Sequence, residues 1–185
     1  MKVAATLQIT AKGQPVIYYG EEIGQQGQKP DDNRREPFDW YASSEGEYMT
    51  KMTDIFFNPE LIYVQPDDGI SVEEEKNDEN SMLNHYKKLI AMRSANPTFF
   101  NGTYETLGMG GGGLYAYKVY DEKGQYLVIH NQRKDNKTIT LNVGGTDIYN
   151  NIFCGDSDTF VDNDGINYDS NCVWGSIKEI YPAYE

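Results

Sequence analysis

Hydrophobic residues recur at helical spacing in two parts of the chain. Between residues 3 and 11 the pattern predicts the end of an amphipathic helix, which Gly13 stops. A clearer pattern runs from Ser81 to Ser94, and Pro97 prevents its continuation. The side chains that share this predicted helix face are those of Met82, Leu83, Tyr86, Leu89, Ile90 and Arg93.

The segment Pro15 to Tyr19 is a short, continuous apolar run rich in β-branched and aromatic residues. Such a run predicts a strand buried on both faces, as in a parallel sheet. Gly20 follows it, and then a long polar stretch extends to about Asn80. A loop of this length inside a domain is unusual and is typically functional or mobile. We expect the acidic run from Glu73 to Glu75 within it to be a solvated face.

From Thr103 onward the hydrophobic period changes to two, which indicates β-strands. Several short strands separated by turns are typical of an antiparallel sandwich. The boundary between the two parts lies near Asn96 to Asn101, so we predict domains at 1–98 and 99–185. The predicted strands are Leu114 to Tyr120, Gln125 to Asn131, Thr138 to Val143 and a last one near Ile177 to Tyr181.

The composition narrows the classes of partner. The chain has 185 residues, a net charge of -13 and 38% hydrophobic residues. The acidity argues against nucleic acid and anionic membrane surfaces as partners, and no stretch is apolar and long enough to span a membrane. The two cysteines, Cys154 and Cys172, can form a disulfide if their strands are neighbours, and the sequence leaves that open.

Three motifs in order carry a resemblance to a known family. The segment Gly13 to Glu22 contains Gly-x-Pro-x-x-Tyr-x-Gly-x-Glu and resembles the eighth barrel strand of the α-amylase family of glycoside hydrolases. Lys29 to Trp40 resembles the loop that follows, and Ser81 to Arg93 resembles the eighth barrel helix. The amino-acid sequence from Gln8 to Pro15 is most similar to that of bacterial amylopullulanases and related α-glucan-degrading enzymes.

The resemblance implies an α+β fragment: the last β/α repeat of a TIM barrel followed by a C-terminal antiparallel β-sandwich domain. It also implies a parent that cleaves or transfers α-glucosidic bonds in starch-like glucans or pullulan with retention. The family's aspartate nucleophile, glutamate acid/base and second aspartate come from the fourth, fifth and seventh strands, which would precede Met1. Because a retaining glycosidase needs two opposed carboxyl groups about 5 Å apart, we expect no catalytic residue in this chain and no activity from it alone.

The resemblance places the candidate site residues on the loop after the eighth strand. Arg35 matches an arginine that binds the non-reducing glucose in exo-acting members, and its guanidinium suits sugar hydroxyls. The alternative is a surface ion pair with Glu36 or Asp39. Trp40 is a second substrate-binding candidate that either stacks on a sugar ring or packs within the loop.

Two residues are assigned structural roles at the top of the barrel. Glu22, at the family's glutamate position, is expected to accept hydrogen bonds from the backbone. Tyr19 is expected to lie in the barrel core or at its rim. The adjacent acidic pairs Glu21-Glu22 and Asp31-Asp32 rarely hold the separation that catalysis requires, so we assign them no catalytic role.

The remaining expectations concern ligands, partners and location. No metal or cofactor is expected; Asp162 and Asp164 hint at calcium, but they miss the full loop spacing and a turn fits better. A rival hypothesis is a carbohydrate-binding or interaction module whose platform is Tyr115, Tyr117, Tyr149 and Tyr168, although alternating tyrosines are more often core. Exposed barrel surfaces predict self-association. The enzyme class suggests an extracellular or cell-surface bacterial protein, with any signal upstream.

Overall fold

The computed structural model describes residues 1–47, 49, 61–108, 113–132, 137–139, 149–154, 161–162, 165–168 and 172–176, the last five ranges by their backbone. These residues divide into two compact units. One contains residues 1–2 and 16–88, and the other contains residues 3–15 and 89–185. The domain boundary at 98/99 stays a prediction of the sequence.

The first unit is built from short helical segments and anchored loops. It contains 3-10 helices at Glu21–Ile23 and Asp31–Arg34 and an α-helix, α2, at Val72–Glu75. The long helix Met82–Ala95, here α3, begins in this unit and confirms the helix predicted from the periodicity.

The acidic run around α2 was predicted to be a solvated face, which is confirmed for the exposed Glu73 and is wrong for the buried Glu75. Ser71 and Glu74 form a capping box, in which each side chain accepts the other residue's backbone N–H. Glu73 accepts the amide of Ala42, at 3.1 Å, and the buried Glu75 accepts the amide of Leu83, at 2.7 Å. Burial raises the pKa of Glu75, and the hydrogen bond from Leu83 opposes that rise. The three carboxylates therefore hold loop backbone, because they replace water at its exposed N–H groups.

The predicted strand at Pro15 to Tyr19 does not form in this chain. The segment has no regular secondary structure and belongs to neither of the two described sheets, whose strands all lie beyond residue 102. Val16 is 78% exposed and Tyr18 is 57% exposed. A strand buried on both faces needs neighbouring strands, and the described strands pair only among themselves.

The second unit contains an antiparallel sheet with adjoining helices. Helix α1 spans Lys2–Thr10, and a short helix, α4, spans Thr98–Asn101. Among the predicted strands, those at Leu114 and Gln125 form over the expected ranges, and the last strand, 177–181, lies outside the described residues. The strands are β1 Thr103–Gly108, β2 Leu114–Tyr120, β3 Gln125–Asn131, β4 Lys137–Ile139, β5 Tyr149–Cys154, β6 Val161–Asp162, β7 Gly165–Tyr168 and β8 Cys172–Ser176.

The strands form two antiparallel sheets, ordered β1-β2-β3-β8-β5 and β4-β7-β6. The central strand β3 is buried along most of its length, with Leu127, Val128 and Ile129 at 0% exposure. Such burial on both faces indicates that β3 lies at the core of the unit. The sheets confirm an antiparallel β-part; their face-to-face packing as a sandwich stays a prediction.

Arg93 joins the end of helix α1 to the short helix α4 within the second unit. Its side chain is 4% exposed, and its guanidinium donates to the carbonyls of Ile9, Ala11, Gly13 and Phe99. The last carbonyls of a helix have no partner within the helix, so this cation satisfies the C-terminal end of α1 and favours its dipole. The helical spacing had placed Arg93 on one face with Leu89 and Ile90; Arg93 and Leu89 are buried, whereas Ile90 is 44% exposed.

Candidate functional site

The loop that carries the candidate residues begins at a tight turn on Gly20. Gly20 has φ 89° and accepts the backbone amide of Gln25 at 2.8 Å. A Cβ on Gly20 would meet the side chain of Gln25 at 3.0 Å, so both the backbone conformation and the contact favour glycine. The side-chain Nε2 of Gln25 in turn donates to the carbonyl of Pro37 at 2.9 Å. The turn is thereby tied to the segment that follows Arg35.

Arg35 lies at the surface beside an acidic neighbour. Its Nη2 is 3.9 Å from Oδ2 of Asp31, and its side chain is 58% exposed. The alternative ion pairs with Glu36 or Asp39 do not form, because both of those carboxylates are buried in other contacts. Exposed pairs of this kind contribute about 0–1 kcal/mol, so a ligand can replace Asp31 at little cost.

Glu36 anchors the loop immediately after Arg35. Its carboxylate is 3% exposed and accepts the backbone amides of Ile62 at 2.8 Å, Tyr63 at 2.9 Å and Val64 at 2.9 Å. Backbone N–H groups on an ionised carboxylate are among the stronger protein hydrogen bonds. Glu36 therefore ties the backbone of residues 62–64 to the loop that carries Arg35. Sequence reasoning missed this role, because nothing in the motif indicates which distant amides the carboxylate accepts.

Tyr19 lies next to the anchored loop. Its hydroxyl donates to the carbonyl of Glu36 at 3.2 Å, and its ring packs against Tyr18 with centroids 4.8 Å apart. Burial, followed by the proximity of Tyr18, raises the pKa of Tyr19, while the charge of Arg35 lowers it. The tyrosine is 41% exposed, which places it at a surface in this chain.

Trp40 packs and remains accessible. Its ring meets Phe38 edge-on with centroids 4.6 Å apart, and the residue is 46% exposed. The edge-on contact is a favourable aromatic geometry. Trp40 therefore packs within the loop and is also partly accessible to solvent.

Glu22 was expected to accept hydrogen bonds from the backbone, and its buried carboxylate oxygen accepts none among the described residues. Oε2 of Glu22 is buried and has no hydrogen-bond partner among the described residues. Its neighbour Glu21 is the one that accepts a backbone amide, from Tyr18 at 3.2 Å. A buried carboxylate oxygen without a partner costs free energy.

Asp39 is a second buried carboxylate in this loop. It is 1% exposed, and its Oδ2 accepts the hydroxyl of Ser44 at 3.1 Å. Burial raises the pKa of Asp39, and the hydrogen bond from Ser44 opposes that rise. Asp39 is therefore buried in the loop next to Trp40, and Ser44 holds its Oδ2.

The described residues contain neither a cluster of metal ligands nor a helix that could span a membrane. No group of three or more His, Cys, Asp or Glu side chains suited to a metal ion occurs there. Asp162 ends β6 opposite Gly165, and Asp164 lies outside the described residues. Within the same ranges, every helix is too short or too polar to cross a lipid bilayer.

The tyrosines of the rival binding module are only partly available. Tyr117 is 3% exposed, and its hydroxyl donates to Oγ1 of Thr10 at 2.7 Å, so it is a core residue. Tyr115 is half-buried and packs against Tyr117 with centroids 5.3 Å apart. The structure describes Tyr149 and Tyr168 by their backbone only. A stacking platform that includes Tyr117 is therefore wrong.

Comparisons with known proteins agree on one family. The model of the alpha-amylase catalytic domain matches residues 1–102. The chain is 36% identical over 140 residues to Alpha-amylase 3 of Dictyoglomus thermophilum, covering 76% of this chain and 27% of that protein. It is 31% identical over 136 residues to the 4-alpha-glucanotransferase of Thermotoga neapolitana, covering 71% and 29%.

A solved structure supports the same relationship. The crystal structure of the alpha-amylase from H. orenii superposes with a TM-score of 0.74 at 32% identity, covering 95% of this chain and 34% of that chain. The chain therefore spans about a third or less of the length of these relatives.

Proposed function

The chain belongs to the α-amylase family of glycoside hydrolases, and from this premise we propose that it is the C-terminal segment of a retaining α-glucan hydrolase. In this proposal the catalytic carboxylates lie on earlier barrel strands outside the chain. Retention requires an opposed pair of carboxyl groups. Here Glu36 and Asp39 are buried in loop contacts, and Glu21 accepts the backbone of Tyr18.

The exposed Arg35 on an anchored loop is the observation that carries the substrate proposal. The side chain is 58% exposed, yet the next residue, Glu36, fixes the backbone with three amide hydrogen bonds. An accessible guanidinium on a fixed backbone can bind neighbouring sugar hydroxyls without a large ordering cost. We assign Arg35 to one end of an α-glucan oligosaccharide and Trp40 to a neighbouring sugar face.

Replacing Arg35 with lysine is expected to weaken maltooligosaccharide binding about tenfold, because lysine keeps the charge and loses the planar paired donors. The measurement is a saturation-transfer NMR titration of the full chain with maltotetraose. Arg34→Lys is the matched control, since Arg34 also pairs with Asp31, at 3.7 Å, and its side chain is 49% exposed. No binding by the unmodified chain, or equal loss in both variants, would refute the substrate assignment.

We further propose that the apolar run from Val16 to Tyr19 takes up a strand neighbour, from the rest of the barrel in the intact protein and from a second copy when this chain is alone. Its exposed residues and the 50% exposed Ile62 present apolar surface in one unit. Analytical ultracentrifugation over a wide concentration range is expected to give dimers or larger species. A strict monomer at every concentration would contradict self-association.

A further inference from the structure

The two cysteines of the chain occupy directly opposite register positions on neighbouring strands. Cys154 ends β5 and Cys172 begins β8, and the two are Cα partners in an antiparallel ladder. Opposed residues in such ladders have Cα atoms about 4.5–5.5 Å apart. Disulfides span Cα separations of about 4.4–6.8 Å. The backbone therefore meets the distance condition that the sequence left open.

We propose that Cys154 and Cys172 form an intramolecular disulfide that fastens the edge of the five-stranded sheet. Among the described strands β5 lies at the edge of its sheet, and β8 joins it to β3. The ladder shifts register between Asn151 and Phe153, just before the cysteine pair. An edge strand whose ladder is interrupted gains from a covalent tie, because its described backbone pairing is with one neighbour only.

The bond also closes the chain segment between the cysteines. That segment contains β6 and β7, which belong to the second sheet. Linking residues 154 and 172 removes conformations from the unfolded chain. The proposal is independent of the enzymatic assignment, since it rests on the register of β5 and β8 alone.

The chemistry needs a named oxidant, and a small-molecule disulfide such as oxidised glutathione serves. The thiolate of one cysteine attacks it, forming a mixed disulfide and releasing one glutathione thiolate. The second cysteine's thiolate then attacks the protein sulfur of the mixed disulfide and releases the other glutathione thiolate. The two cysteines lose two protons and two electrons in total, and one oxidised glutathione becomes two reduced molecules.

The first test measures the bond directly on the full chain. The protein is equilibrated with a glutathione redox buffer, unfolded, and treated with N-ethylmaleimide before intact-mass measurement. The expected product carries no maleimide and is lighter than the reduced chain by two hydrogen atoms. No Lys or Arg lies between the cysteines, so trypsin leaves both in one peptide. An aspartate-specific protease cuts between them, and the expected fragments stay joined until reduced.

The second test measures the effect of the bond on folding. Reduction is expected to lower the Tm of the oxidised chain by about 5 °C or more. The Cys154→Ser/Cys172→Ser double variant should show no response to reductant. Two maleimide-labelled cysteines, glutathione on each cysteine, or disulfides only between copies would each overturn the proposal. The mass result on the unmodified chain decides the matter even if the double variant does not fold.

Discussion

Replacing Arg93 with methionine is expected to lower the free energy of unfolding by about 3–5 kcal/mol. The substitution keeps a long side chain and removes the cation that binds the end of helix α1. The carbonyls of Ile9 and Gly13 lose their guanidinium donor, whereas the hydroxyl of Tyr104 still reaches Ala11 and Phe99. Urea unfolding followed by circular dichroism measures the loss.

The matched control for Arg93 lies on the same helix. Lys87 is exposed on α3, so Lys87→Met removes one positive charge without breaking a buried contact. We expect that variant to remain within about 0.5 kcal/mol of the parent. Equal stability of the two variants would show that Arg93 does not hold α1. The role derived from its four carbonyl contacts would then be wrong.

Replacing Glu36 with glutamine is expected to release the segment from Ile62 to Val64. One carboxylate oxygen becomes an NH2 group, which cannot accept a backbone amide and opposes it instead. Amide exchange at these three positions should accelerate about 100-fold, which corresponds to about 2.7 kcal/mol of local stability. Hydrogen exchange followed by NMR gives this value residue by residue.

Glu45→Gln is the control for Glu36. Glu45 lies exposed in the same loop region, and its replacement removes the same charge. It should leave amide exchange at Ile62, Tyr63 and Val64 unchanged. If both variants accelerate exchange alike, the effect is one of net charge, and the anchoring role of Glu36 fails.

The elements with a complete local pattern were predictable from the sequence. Helix α3 and strands β2 and β3 form close to their predicted ranges, because one face of each packs against residues within this chain. The run from Pro15 to Tyr19 has an equally clear strand pattern but does not join a sheet. Strand formation depends on neighbouring strands as well as on composition. A run of five residues does not show whether such neighbours are present.

The site was predictable at the level of the loop and not of its contacts. Arg35 and Trp40 were placed on an exposed loop by the family motif, and both are accessible. The motif did not predict that Asp31 would be the partner of Arg35 or that Glu36 would accept amides from residues 62 to 64. The pattern of residue types along the loop does not indicate which side chain pairs with which partner. This holds above all for Glu36, whose partners lie more than 25 residues away.

The central claim is that this chain supplies part of an α-glucan hydrolase and not its catalytic carboxylates. Its most direct test is the release of reducing sugar from maltooligosaccharides and pullulan by the purified chain at high protein concentration. We predict no release above the buffer blank. Turnover that persists through repurification, and that is lost when Glu21, Glu22, Asp31 or Asp32 is replaced by its amide, would contradict the claim and place the catalytic carboxylates within this chain.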